Sequence, residues 1–216
     1  MLTQNLQDIL NQHNKALNLY IDLLLQWQSK FNLIGNSTID NIYERHILDS
    51  SQVLSYISQQ GMKIADLGSG AGLPGIILAI LNTNNSYYLV ESNTKKVNFL
   101  IAVVKELNLQ NTYVIHSRIE NIDIKKYKFD LITSRALCSL DKLIDYSIYT
   151  MGKNINAVFL KGVNYLAEIS KLGEIINSTP HSFTIFLPKY KIKICINIHS
   201  SITNQDSKIL YINTIV

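Results

Sequence analysis

Apolar residues fall at helical spacing from the start of the chain. Leu6, Ile9, Leu10, Leu17, Tyr20, Leu24 and Trp27 can share one face, which predicts an amphipathic helical region over residues 2–27. FNLIGN (31–36) breaks it with one glycine and two asparagines. A second helix is expected over about Ile39–Gln59. From Lys63 the pattern changes to short apolar runs separated by helical segments. KIADLG (63–68) predicts a buried strand, followed after Pro74 by a helix through GIILAIL, since proline suits a first helical turn. SYYLVE (86–91), TYVIH (112–116), FDLITSRA (129–136) and AVFLKG (157–162) predict four more strands. Between them, helices are expected over 94–108, with Val97, Leu100, Ile101, Val104 and Leu107 inward, and around 140–149. A last helix should run to about Asn177. SFTIFL (182–187) and ILYINTI (209–215) add two strands, and KYKIKICINIH between them alternates, so it can be extended too.

Strands alternating with helices predict an α/β fold with a doubly wound sheet. Residues 1–60 form a helical extension in this reading, and residues 61–216 the core. Ligands of such sheets bind beyond the carboxyl ends of the strands.

Composition narrows the class. Of 216 residues 47% are hydrophobic and 17% charged, a globular balance. The longest purely apolar run, Ile76–Leu81, is too short to span a bilayer. MLTQNLQDIL lacks a basic stretch followed by an apolar block, so a cytoplasmic protein without a membrane partner is expected. Cys138 and Cys195 lack metal-ligand spacing, and the five histidines form no H-x-x-x-H pair, so no metal is expected. A formal charge of +4 permits nucleic-acid binding without demanding it.

The candidate chemistry centres on ADLGSGAGLPGI (65–76). Gly70-x-Gly72-x-x-Gly75 fits a dinucleotide-binding loop. Asp66, two residues before the first glycine, would repel a pyrophosphate but suits the positive amino and sulfonium groups of S-adenosylmethionine (SAM). Glu91 ends the second strand, where a carboxylate can accept from ribose hydroxyls of either ligand. After the third strand, Ile119 can pack on an adenine face and Glu120 can accept from its amine. Arg135 at the end of the fourth strand is placed to pair with a carboxylate, or to reach cofactor or RNA.

RHILDS (45–50), DLGSGAGLPGI (66–76), ES (91–92), SRIE (117–120), SRA (134–136) and LKG (160–162) occur together in one order. In these motifs the chain resembles the RsmG/GidB family of bacterial 16S rRNA guanine-N7 methyltransferases. The resemblance covers about Asn32–Gly162 and implies a class I, Rossmann-like SAM-dependent methyltransferase fold, a three-layer sandwich with a helical N-terminal extension. It implies SAM as cofactor, S-adenosylhomocysteine as product and the small ribosomal subunit as partner. It places Gly68, Gly70 and Leu73 at the cofactor with Ile119, Glu120 and Arg135, and Glu91, Ser92 and Asn93 on the ribose side. From Pro180 onward no stretch matches.

Guanine N7 carries an in-plane lone pair and no proton, so its methylation needs alignment and no general base. The target guanine should be unpaired or splayed out, because the major groove of A-form RNA is too deep and narrow for side chains. Candidates to hold phosphates are Arg45, Lys95, Lys96, Arg118 and Lys161; His46 can stack, bind phosphate or be a satisfied core histidine. A monomer is the default expectation. Two other readings stay open at this point: a nicotinamide-dependent oxidoreductase and a non-catalytic RNA-binding protein.

Overall fold

The computed structural model describes residues 2–204 and 206–215. Helices α1 (Leu2–Gln12) and α2 (Asn14–Gln28) divide the first amphipathic region at His13. The expected helix over 39–59 is not regular. A 3-10 turn (Asn36–Asn41), a π-helical turn (Tyr43–Leu48), one α turn (α3, Asp49–Ser51) and a second 3-10 turn (Gln52–Tyr56) follow one another. The backbone has competing partners here. The Arg45 carbonyl accepts from the Arg135 guanidinium, and the Ser51 hydroxyl bonds back to the Leu48 carbonyl.

Strands β1 (Lys63–Leu67), β2 (Ser86–Glu91), β3 (Thr112–His116), β4 (Leu131–Arg135) and β5 (Asn156–Lys161) form the parallel part of the sheet, in the order β3-β2-β1-β4-β5. Helices α4 (Gly75–Leu81), α5 (Thr94–Glu106), α6 (Leu140–Met151) and α7 (Tyr165–Ile169) connect or flank them. The helix expected to run to Asn177 stops at Ile169. Leu166, Ile169, Ile175 and Ile176 mimic a helical repeat, but Gly173 interrupts it and Glu174–Thr179 pairs with the next strand as β6. Strands β6, β7 (Ser182–Leu187), β8 (Ile192–Ser200) and β9 (Lys208–Ile215) make an antiparallel meander that joins β5 through β9 and extends one sheet to nine strands.

Helices cover both faces. On one, α2 (Leu17, Tyr20, Leu24) and Ile47 pack with Ile76, Ile77 and Ile80 of α4 and Phe99 and Leu100 of α5. The N-terminal helices therefore bury their stripe against the helices that follow the glycine loop. On the other face Leu140, Leu143 and Ile144 of α6 and Ile169 of α7 cover Ile132 and Phe159, together with Ile185, Ile194 and Ile196 of the meander. The carboxyl ends of β1 and β4 adjoin at the centre of the sheet, where the strand order reverses.

Candidate active site

The glycine loop is held from below by Asp66. Its carboxylate is 1% exposed, and Oδ2 accepts the Gly75 N–H at 3.0 Å. A β-carbon on Gly75 would come within 2.8 Å of that oxygen, so glycine is needed for the helix to start this close. Burial pushes the Asp66 carboxyl up to about 7, against lowering by the Gly75 N–H, Ser69 and Arg135. Its Oδ1 has no hydrogen-bond partner. Asp66 does not line the cleft. The expectation that it meets the positive amino and sulfonium groups of SAM is corrected: it is buried and shapes the loop from the protein side. The α4 N-terminus is thereby spent, since Gly75 N–H goes to Asp66 and Ile76 N–H to the Gly72 carbonyl at 2.7 Å.

Glu91 ties the loop to β2. One oxygen accepts the Gly70 N–H at 3.0 Å; the other accepts the N–H groups of Ser92 and Asn93, both at 2.8 Å. The Asn93 side chain caps α5, accepting from the backbone of Lys95 and Lys96. On the N-terminal side the buried Tyr20 hydroxyl donates to the Ala71 carbonyl at 2.7 Å, fastening α2 to the loop. Burial raises the Tyr20 hydroxyl well above its usual range, so it stays a donor.

A cleft of about 580 Å³ opens beside the loop. Gly68, Gly70, Leu73, Arg135, Arg45 and Lys96 line it. Arg135 is held there by three residues. Nη1 donates to the Arg45 carbonyl at 2.9 Å and pairs with Asp49 Oδ2 at 3.3 Å, and Nη2 meets His46 Nδ1 at 2.7 Å. A guanidinium only donates, so Nδ1 of His46 is the acceptor and its proton sits on Nε2, 2.8 Å from Thr38 Oγ1. Burial, then the charges of Arg135 and Arg45, lower the His46 imidazole to about 3. His46 is thus a buried neutral histidine and not a phosphate-binding cation. Asp49 also accepts from Ser201 and Thr203, at 3.2 and 3.0 Å. The turn between β8 and β9 is docked on RHILDS in this way.

Lys161 also lines the cleft, but Nζ is 2.7 Å from Glu168 Oε2 and 3.0 Å from the Cys138 carbonyl. The ammonium is mostly buried and paired here, so it is not the free phosphate contact expected of it. Lys95 and Arg118 are exposed and lie outside the cleft lining. Ile119 is buried in the core beneath the carboxyl end of β3, and Glu120 accepts from Tyr146 at 2.9 Å. Glu91, Ser92, Asn93, Ile119 and Glu120 thus sit on the β2–β3 side of the loop, while Gly68, Leu73 and Arg135 face the cleft.

Sequence reasoning missed Asp49, which stood inside RHILDS unremarked; its partners lie 86 and 154 residues away. It also missed Leu137, which packs over Gly68, where φ is +69° and a side chain would collide with it. The bend that places Leu137 follows Ala136, a non-glycine residue at φ 55°. Nothing in the sequence signals that conformation.

The parallel order β3-β2-β1-β4-β5, the loop after β1 and the acid ending β2 define a Rossmann-like fold of the SAM-dependent methyltransferase type. Solved structures share it. A SAM-dependent methyltransferase from Aquifex aeolicus aligns over 83% of this chain and 96% of its own, with a TM-score of 0.55 and 16% identity. Precorrin-6y C5,15-methyltransferase from Geobacter metallireducens aligns over 76% and 86%, with a TM-score of 0.52 and 12% identity. Sequence comparison is more specific. Residues 13–190 match the GidB family, rRNA small subunit methyltransferase G, and the chain belongs to that family. It is 37% identical over 164 residues to ribosomal RNA small subunit methyltransferase G of Mycoplasma capricolum, covering 76% of this chain and 71% of that one. The protein of the same name from Orientia tsutsugamushi is 40% identical over 152 residues, 70% and 74% of the two chains. No helix among the described residues is long and apolar enough to cross a membrane.

Proposed function

We propose that this protein transfers the methyl group of SAM to N7 of a guanine in 16S rRNA of the small ribosomal subunit, releasing S-adenosylhomocysteine. Family membership supports the substrate class. The observation that carries the cofactor is the Asp66–Gly75 bond: an internal carboxylate already caps the helix N-terminus that a dinucleotide pyrophosphate would use. This disfavours the oxidoreductase reading even though Asp66 does not face the cleft.

The residues present fit SAM. The bare backbone of Gly68 and Gly70, with Leu73 as an apolar wall, lines a cleft within the usual range for small-molecule sites. An ionised carboxylate has about four acceptor positions, and Glu91 uses three on backbone N–H groups, which leaves one for a ribose hydroxyl beside Ser92 and Asn93. Glu120 keeps Oε2 free of the Tyr146 bond and can accept from the adenine amine over Ile119. When bound, SAM supplies a methyl carbon made electrophilic by the adjacent sulfonium.

The chain has no proton to remove from N7. Its residues orient instead. Arg135, fixed by Asp49, His46 and the Arg45 carbonyl, is a rigid positive group at the cleft wall. Of the candidate cations, Arg45 and Lys96 line the cleft and Lys95 and Arg118 lie outside its lining, and these four can meet phosphates; Lys161 is paired with Glu168. We read the protein as a cytoplasmic monomer that needs no metal for this step, since the sulfonium is already a competent leaving group. Calorimetry of one sample with SAM and with NAD tests the reading. Binding of SAM alone is expected; binding of NAD alone would overturn it.

A further inference from the structure

Away from the cleft, the β3 edge of the sheet carries an aromatic and basic patch that the methyl-transfer site does not use. Tyr88 of β2 and Tyr113 of β3 are cross-strand partners, and their rings stack at 5.0 Å with 22° between planes. Tyr127 meets Tyr88 edge-on at 5.7 Å and lies parallel to Phe129 at 6.0 Å. The cluster is closed on the core side by Phe129, which is buried, and open at Tyr113, which is 48% exposed. Lys125, Lys126 and Lys128 flank Tyr127 in sequence and are all exposed, with Lys126 Nζ 5.1 Å from the Tyr127 ring centre. Asp123 and Asp130, close to these lysines in sequence, each use one carboxylate oxygen on backbone N–H groups. Asp123 accepts the N–H groups of Lys125 and Lys126, and Asp130 accepts that of Lys63 at 2.7 Å. Among the described residues none of the three lysines is ion-paired.

A half-exposed ring on an aromatic stack, with three exposed lysines on the segment that carries Tyr127, has the chemistry of a single-strand nucleic-acid platform. A base stacks on the ring while the ammonium groups follow the phosphates, and the contact tolerates any base. Tyr113 stands three residues before His116, the last residue of β3, whose ring reaches the Ser92 carbonyl at 3.3 Å. The patch therefore lies toward the amino-terminal ends of β3 and β4, at the opposite end of the strands from the cofactor loop.

We propose that Tyr113, Lys125, Lys126 and Lys128 form a second docking surface for an unpaired segment of the rRNA substrate, separate from the cleft that receives the target guanine. This rests on the rRNA methyltransferase reading above. Methyl transfer by the unchanged protein to small ribosomal subunits tests that reading separately.

The test compares Tyr113→Ala, Tyr113→Trp and a Lys125→Gln/Lys126→Gln/Lys128→Gln variant with the unchanged protein. The readouts are KM and kcat for subunits, and affinity for a short unstructured single-stranded RNA by fluorescence anisotropy. Tyr113→Ala should weaken RNA binding about fivefold or more and raise KM similarly, with kcat and SAM affinity unchanged. Tyr113→Trp should restore binding, which a merely structural role for the ring would not do. The lysine variant should lower the slope of log affinity against log salt by up to about 2. RNA affinity and KM within twofold of the unchanged protein in both the alanine and lysine variants would overturn the proposal. Weakened binding to subunits with intact binding to the RNA would also overturn it, assigning the patch to a protein of the subunit instead.

Discussion

Arg135 and His46 lie 89 residues apart in sequence, yet Nη2 of one is 2.7 Å from Nδ1 of the other. That bond requires a neutral imidazole. It joins the end of β4 to the RHILDS segment and, through Asp49, to the turn between β8 and β9. Two of the sequence motifs and the segment beyond residue 190, where the family match ends, therefore meet at one guanidinium.

The neutrality of His46 has a pH signature. Its folded value is lowered to about 3 from 6.5. It therefore contributes stability that is fully present above pH 6.5 and lost as the pH falls toward 3. Asp66 is the reverse case. Its value is raised to about 7 from 3.8, so its contribution is full below pH 3.8 and lost as the pH rises through 7. Between about pH 4 and 6.5 the two slopes oppose each other. Relative to the unchanged protein, Asp66→Asn should gain stability as the pH rises through this window, by up to about 1.4 kcal/mol per pH unit. His46→Gln should lose relative stability over the same rise. Urea unfolding across the window measures both. Parallel curves for all three proteins would mean that neither group is shifted.

Glu91 serves the loop before it serves any ligand. Glu91→Gln replaces one acceptor by a donor that faces backbone N–H groups. SAM binding should weaken by ~1.5–3 kcal/mol, the range for hydrogen bonds to charged groups. Calorimetry checks it. Unchanged affinity would remove Glu91 from the ribose side.

Tyr20 tests the role of the N-terminal helices. Tyr20→Phe removes the donor to the Ala71 carbonyl and leaves that oxygen buried without a partner, at a cost of about 1–3 kcal/mol. Because Ala71 lines the cleft, SAM affinity should fall as well. Loss of stability with full affinity would limit α2 to packing.

Much of this was legible before the structure. The strands β1–β5 are short apolar runs bounded by turn residues, and such runs declare themselves. The glycine loop and Glu91 were legible because their residue types have few other uses at a strand end. The 39–59 region was not, since its helical repeat says nothing of an Arg135 side chain that takes the Arg45 carbonyl. β6 was not, because Ile175 and Ile176 fit a helix until β7 offers an edge to pair with. In α5, Ile101 was expected inward but is 51% exposed, while Phe99, given no facing, is buried. Which apolar residue turns inward is set by the N-terminal helices packed there. For Asp66 the sequence placed the charge near the loop but could not show which side of the loop it occupies. For Lys161 it could not show Glu168.

The central claim is the reaction. The most direct measurement incubates the purified protein with methyl-labelled SAM and undermethylated small ribosomal subunits, then digests the RNA to nucleosides. The account predicts label in 7-methylguanosine. Bound SAM with no label in that nucleoside would contradict it, leaving the fold in place and the substrate elsewhere.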